Sequence, residues 1–124
     1  MKYLCLGYHE RQAWEALSDA QRRALAEECR DFDQVLRQHG YYLDGKIVDP
    51  DASAITLRFA DGNLCVTDGP PAETRRTLGG VILLNARDLN HAIQLMSRSP
   101  CMRLGGSLEI RPINDQCPEA EKLT

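Results

Sequence analysis

Hydrophobic positions in this chain follow two different spacings, and the changes from one to the other mark its elements. Residues 2–8 (KYLCLGY) are apolar on both faces of an extended segment, as in a strand with neighbours on either side. Residues 10–17 (ERQAWEAL) suit a short helical turn with Trp14 and Leu17 packed inward. Ser18 and Gln21 then form a capping-box pair. Leu25, Cys29, Phe32 and Leu36 follow at helical spacing and make one apolar stripe, and Gly40 supplies a left-handed stop. A helix is therefore predicted over 18–39.

Residues 41–48 (YYLDGKIV) read as a strand that Asp44-Gly45 could interrupt as a turn. Asp61-Gly62 between AITLRFA and NLCVTD is a two-residue hairpin signal. Ile55, Leu57 and Phe59 alternate with Thr56 and Arg58, so one face of that hairpin is expected to be buried. Residues 79–86 (GGVILLNA) form another strand apolar on both faces. Asp88 caps a second helix, with Leu89, Ala92, Ile93 and Met96 on its inner side and an end before Pro100. Residues 107–113 (SLEIRPI) alternate as a last strand, and 114–124 form a polar tail.

The order is β-α-β, hairpin, β-α-β, which predicts an α+β fold of the ferredoxin-like, split βαβ type with an inserted β-hairpin. Its domain spans 1–113. Both helices would cover one face of the sheet. The other face still carries apolar side chains, and a second copy of the chain is the economical cover, giving a homodimer that closes a barrel-like interior.

Composition narrows the function classes. A chain of 124 residues, 43% hydrophobic and 27% charged, can bury a core without staples. A net charge of -3 and a pI near 5.6 leave no counterion-release footprint, which argues against nucleic acid and against an anionic membrane surface. No apolar run approaches the roughly 20 residues of a membrane span. The first ten residues are too short in apolar content for a signal peptide, so a cytoplasmic protein is expected. The five cysteines are odd in number, without a CxxC pair, and His9, His39 and His91 supply no metal-ligand spacing. No metal and no cofactor are expected, and the thiols read as reduced, mostly buried apolar groups.

VTDGPPAETRRTLGG (66–80) concentrates turn residues and charge. It resembles the signature of the DGPF branch of the YCII-related proteins, and so do MKYL at the start, Trp14 before a capped helix, LNARDLNHAI and LEIRP. The resemblance covers about residues 1–113 and implies a dimeric α+β barrel of ferredoxin-like halves. Two positions depart from it. Pro71 stands where the motif has Phe, and Cys29 stands where YCII-type members carry a histidine proposed as catalytic. A mechanism based on that histidine does not carry over.

With the first strand between the third and last core strands, Tyr8 and His9 come near the 68–78 loop and Gly105-Gly106. His9 and Asp68 are the catalytic candidates there, as an acid/base pair or polar anchors. Turn chemistry favours the plainer reading of Asp68 as a turn-maker, its carboxylate accepting backbone N–H groups. Tyr8, Glu73, Glu109 and Arg111 are ligand-binding candidates; the bland counterparts are a cap for Glu73 and a strand ion pair for Glu109 with Arg111. His91 reads as a surface residue, His39 as a residue of a helix end, and Cys29 as a buried, inert thiol. Two function classes remain: a non-catalytic interaction or regulatory module with DGPP as its scaffold, or a small-molecule enzyme or binder using the rim.

Overall fold

The computed structural model describes residues 1–48, 53–71, 76–103 and 105–115. Its chain runs β1 (Lys2–Glu10), α1 (Arg11–Glu15), α2 (Asp19–Gln38), β2 (Tyr42–Ile47), β3 (Ile55–Ala60), β4 (Asn63–Asp68), β5 (Arg76–Asn85), α3 (Leu89–Met96), a 3-10 turn (Pro100–Arg103) and β6 (Ser107–Pro112). Four strands form one sheet in the order β2-β5-β1-β6, all neighbours antiparallel. That is the split βαβ order, so the fold is α+β and ferredoxin-like. β3 and β4 form a separate two-stranded sheet.

Local signals explain most element ends. The Ser18 hydroxyl accepts from the Gln21 amide at 3.1 Å while the Gln21 side chain accepts from the Ser18 amide at 2.8 Å, the reciprocal capping box. The hairpin turns at Asp61 (φ 53°) and Gly62 (φ 78°), the pair of positive φ values a two-residue connection needs. Trp14 and Leu17 are half-buried beside α1.

Alternation along the sheet separates two faces. Tyr3, Cys5, Leu84, Ile82, Leu108 and Ile110 point toward the helices and meet Leu36, Ala92 and Met96 in the core. Leu4, Leu6, Tyr8, Leu78, Val81 and Leu83 lie on the opposite face.

Four expectations need correction. Asp44-Gly45 is no turn: β2 runs through it, with a register shift between Tyr42 and Asp44 that absorbs one residue as a bulge. The hairpin face is not buried, because β3 and β4 stand apart from the main sheet. Ile55, Leu57, Phe59, Leu64 and Val66 are all exposed. The inner side of α3 is His91, Ala92, Leu95 and Met96, whereas Leu89 and Ile93 face outward.

His91 is accordingly not a surface residue. Its amide donates to the Asp88 carboxylate at 2.8 Å, and its Nδ1 accepts from the Arg87 amide at 3.1 Å, which puts the ring proton on Nε2. The ring also meets Tyr41 edge-on at 4.9 Å. The ring thus satisfies the amide just before the Asp88 N-cap, a variant of the capping box in which the bonded amide precedes the cap residue.

Candidate functional site

β1 delivers its last residues to a rim beside β5 and β6, as the strand order requires. Gly7 pairs with Gly80 and Tyr8 with Leu78, so Gly79 is left as a one-residue bulge. Beyond the bulge, His9 pairs with Thr77 and Glu10 with Arg76. Tyr8 also pairs with Ser107 on β6. The rim is therefore real, but a strand sends successive side chains to opposite faces. Tyr8 and His9 do not share a pocket.

On the helix side, the His9 ring lies 5.4 Å from Trp14 at a 44° tilt. Thr77 beside it is buried. Gly79 leaves room for the imidazole, since a Cβ there would come within 2.8 Å of Nδ1. Arg22 also meets the Trp14 ring. Its guanidinium sits 5.4 Å from the Trp14 ring centre and donates to the carbonyls of Trp14 at 3.1 Å and Glu15 at 3.2 Å, ending α1. Sequence reasoning missed Arg22; its place one helical turn after Ser18 was the signal available.

On the open side, Tyr8 shares its face with Glu109 and Arg111 of β6. Arg111 donates to the Glu109 carboxylate at 3.0 Å, so the two form the strand ion pair. That hydrogen bond and the Glu109 charge hold the exposed guanidinium more firmly protonated than usual, with a smaller contribution from Tyr8. On the opposite edge, Lys46 meets Asp44 at 3.6 Å. Both edge charges are thus neutralised within their own strands.

Asp68 ends β4 opposite Ile55, in the hairpin sheet rather than the main one. It is exposed, and among the described residues no hydrogen bond or ion pair joins it to His9. The turn that follows is held by other groups. Gly69 N–H donates to Ala54 at 2.7 Å, the Thr56 hydroxyl donates to the Gly69 carbonyl at 2.6 Å, and Arg58 donates to the Pro71 carbonyl at 2.7 Å. Thr56 and Arg58 lie on β3, and their spacing gave no cue to this role. Glu73 lies outside the described residues.

Between the hairpin and the main sheet is an open cleft of about 460 Å³ lined by Val48, Ile55, Leu57, Pro70, Pro71 and Leu78. Thr56 is its polar member, and that hydroxyl is already committed to Gly69. The cleft offers apolar contact and little else.

Cys5 and Cys29 are poor nucleophiles. Burial, reinforced by nearby Cys101, pushes the Cys5 thiol up to about 11. Burial likewise raises Cys29, helped by Cys101, Asp33 and Glu28 against Arg103. Cys65, by contrast with the expected burial, is exposed on the hairpin. Among the described residues no group of three His, Cys, Asp or Glu could hold a metal, and no helix is long and apolar enough to cross a membrane.

Comparison with known proteins places the chain by sequence. The chain is 31% identical over 122 residues to an uncharacterized protein of Rhizobium meliloti (strain 1021), covering 91% of this chain and 92% of that one. It is also 32% identical over 79 residues to an aspartate--tRNA(Asp/Asn) ligase of Acidothermus cellulolyticus, a match that covers 53% of this chain but 13% of the ligase. The YCII-related domain matches residues 1–116, and this chain belongs to that family.

Proposed function

We propose that this chain is a DGPF-type member of the YCII-related family that works by association, as a cytoplasmic, non-catalytic interaction module built on a homodimer. The supporting observation is the sheet face turned away from the helices. Leu4, Leu6, Val81 and Leu83 fill its two central strands, and the edge charges are paired within their own strands. Two copies of such a face meet without like-charge repulsion and enclose a barrel-like interior. A net charge of -3 favours a protein partner over nucleic acid or an anionic membrane.

The DGPP stretch serves this reading as scaffold. Pro70 and Pro71 restrict the backbone, and Thr56 and Arg58 tie it to β3. An acid/base site built from His9 and Asp68 has less support, since the two occupy different sheets.

Leu6→Asp tests the proposal by placing a charge at the centre of the open face. Sedimentation velocity should find the wild type at twice 13.9 kDa and the variant at 13.9 kDa with an unchanged circular dichroism spectrum. A variant that stays as dimeric as the wild type removes this face from the interface.

A further inference from the structure

The β3–β4 hairpin carries a second apolar surface that the sheet-face dimer does not by itself explain. Leu57 lies opposite Val66 and Phe59 opposite Leu64, so with Ile55 all five side chains share one face. They are between 55% and 76% exposed. Together they present roughly 600 Å², at or above the largest apolar patch of an ordinary monomer. Thr56, Arg58, Cys65 and Thr67 take the other face, which is polar enough to stay in water.

An isolated two-stranded hairpin is marginal in water and needs something to pack against. Three bonds hold the two ends of this one together at its root, Gly69 to Ala54, Thr56 to Gly69 and Arg58 to Pro71. It is presented as an arm, with its apolar side outward.

Two observations identify the occupant. The arm's face runs into the cleft that Ile55 and Leu57 share with Leu78, and Leu78 belongs to the open face of the main sheet. Arm and sheet thus meet at this cleft, with Asp68 opposite Ile55 as the charged member of the arm's face. Area points the same way: two arms supply roughly 1,200 Å², which added to the sheet faces reaches the about 1,600 Å² of a standard stable interface.

We infer that the β3–β4 hairpin is a clasp, whose face of Ile55, Leu57, Phe59, Leu64 and Val66 closes over the second copy of this chain beside its open sheet. This rests on the homodimer proposed above. In a two-fold assembly each protomer gives its own arm and receives the other's, so the contact is reciprocal and closes without leaving a sticky edge. The cleft at the arm's root is then a seat for an apolar side chain of the partner.

The experiment uses the full chain with a benzophenone amino acid in place of Phe59, mixed and re-equilibrated with isotopically heavy wild type before irradiation. Peptides joining light residue 59 to a heavy open-sheet segment (2–10, 76–85 or 107–112) are expected. A dimer that yields only cross-links within one chain, or none, overturns the clasp. The double variant Leu57→Ser/Phe59→Ser should weaken dimerisation by at least roughly 100-fold, as loss of two central anchors would. A dissociation constant within about twofold of wild type contradicts the clasp and leaves the sheet-face dimer standing. A monomeric wild type overturns both.

Discussion

Replacing Gly106 with alanine should destabilise this protein by about 3 kcal/mol, and the reason is steric rather than conformational. Gly106 sits between the 3-10 turn and β6, where the chain passes close over the end of β1. A Cβ there would lie 2.7 Å from the Tyr8 carbonyl oxygen and well inside contact distance of the Cys101 carbonyl oxygen. Ordinary carbon–oxygen contacts are about 3.3 Å or longer. Neither obstacle is a side chain that can rotate away, so the 3-10 turn must move off the strand that carries Tyr8. Overpacking typically costs about 1–3 kcal/mol, and two immovable neighbours put this case at the upper end.

Gly62→Ala is the matched control. It adds the same methyl in open space at φ +78°, so only the left-handed backbone is penalised, at about 1 kcal/mol. With an unfolding entropy near 2.1 cal/mol/K per residue, a chain of 124 residues should lose about 11 °C in Tm for Gly106→Ala and about 4 °C for Gly62→Ala. Thermal and urea denaturation at one fixed protomer concentration would measure both, which removes the concentration dependence of an associating protein. If Gly106→Ala costs no more than Gly62→Ala, the close approach of the turn to β1 is refuted.

Alkaline stability should depend on Cys5. Its thiol is held protonated in the fold, up to about 11 against an ordinary 9.0, so the native state binds that proton more tightly than the unfolded chain. The resulting stabilisation, roughly 2–3 kcal/mol, is complete below pH 9 and is lost as pH rises toward 11. Urea midpoints from pH 8 to 11 should fall more steeply in wild type than in Cys5→Ala, and parallel curves would remove the effect. At the other helix, Asp88→Ala should cost about 1 kcal/mol by stripping the N-cap of α3, while Asp88→Asn keeps most of it; equal losses in the two variants would contradict the cap.

Signals that act within a few residues were legible in the sequence. The capping box of Ser18 and Gln21 and the stop at Gly40 located α2 to within a residue at either end, and Asp61-Gly62 located the hairpin turn. The strand order followed from connection rules once those elements were known. What escaped was decided across the fold. Alternation in β3 shows that one face is apolar but not that anything covers it, and here the hairpin leaves the main sheet. His91 looked exposed because helix position alone does not reveal Tyr41 beside it. Tyr8 and His9 were separable in principle, since neighbours in a strand face opposite ways. The ties from Thr56 to Gly69 and from Arg58 to Pro71 join residues 13 apart through hairpin pairing, which no local motif announces.

The central claim is that the sheet face opposite the helices is covered by a second copy of the chain. Multi-angle light scattering on the purified wild type, from about 1 to 100 μM protomer, tests it most directly, since a stable interface of standard size associates well below that range. Twice the 13.9 kDa chain mass across that range is the predicted result, and a species of 13.9 kDa throughout would contradict it.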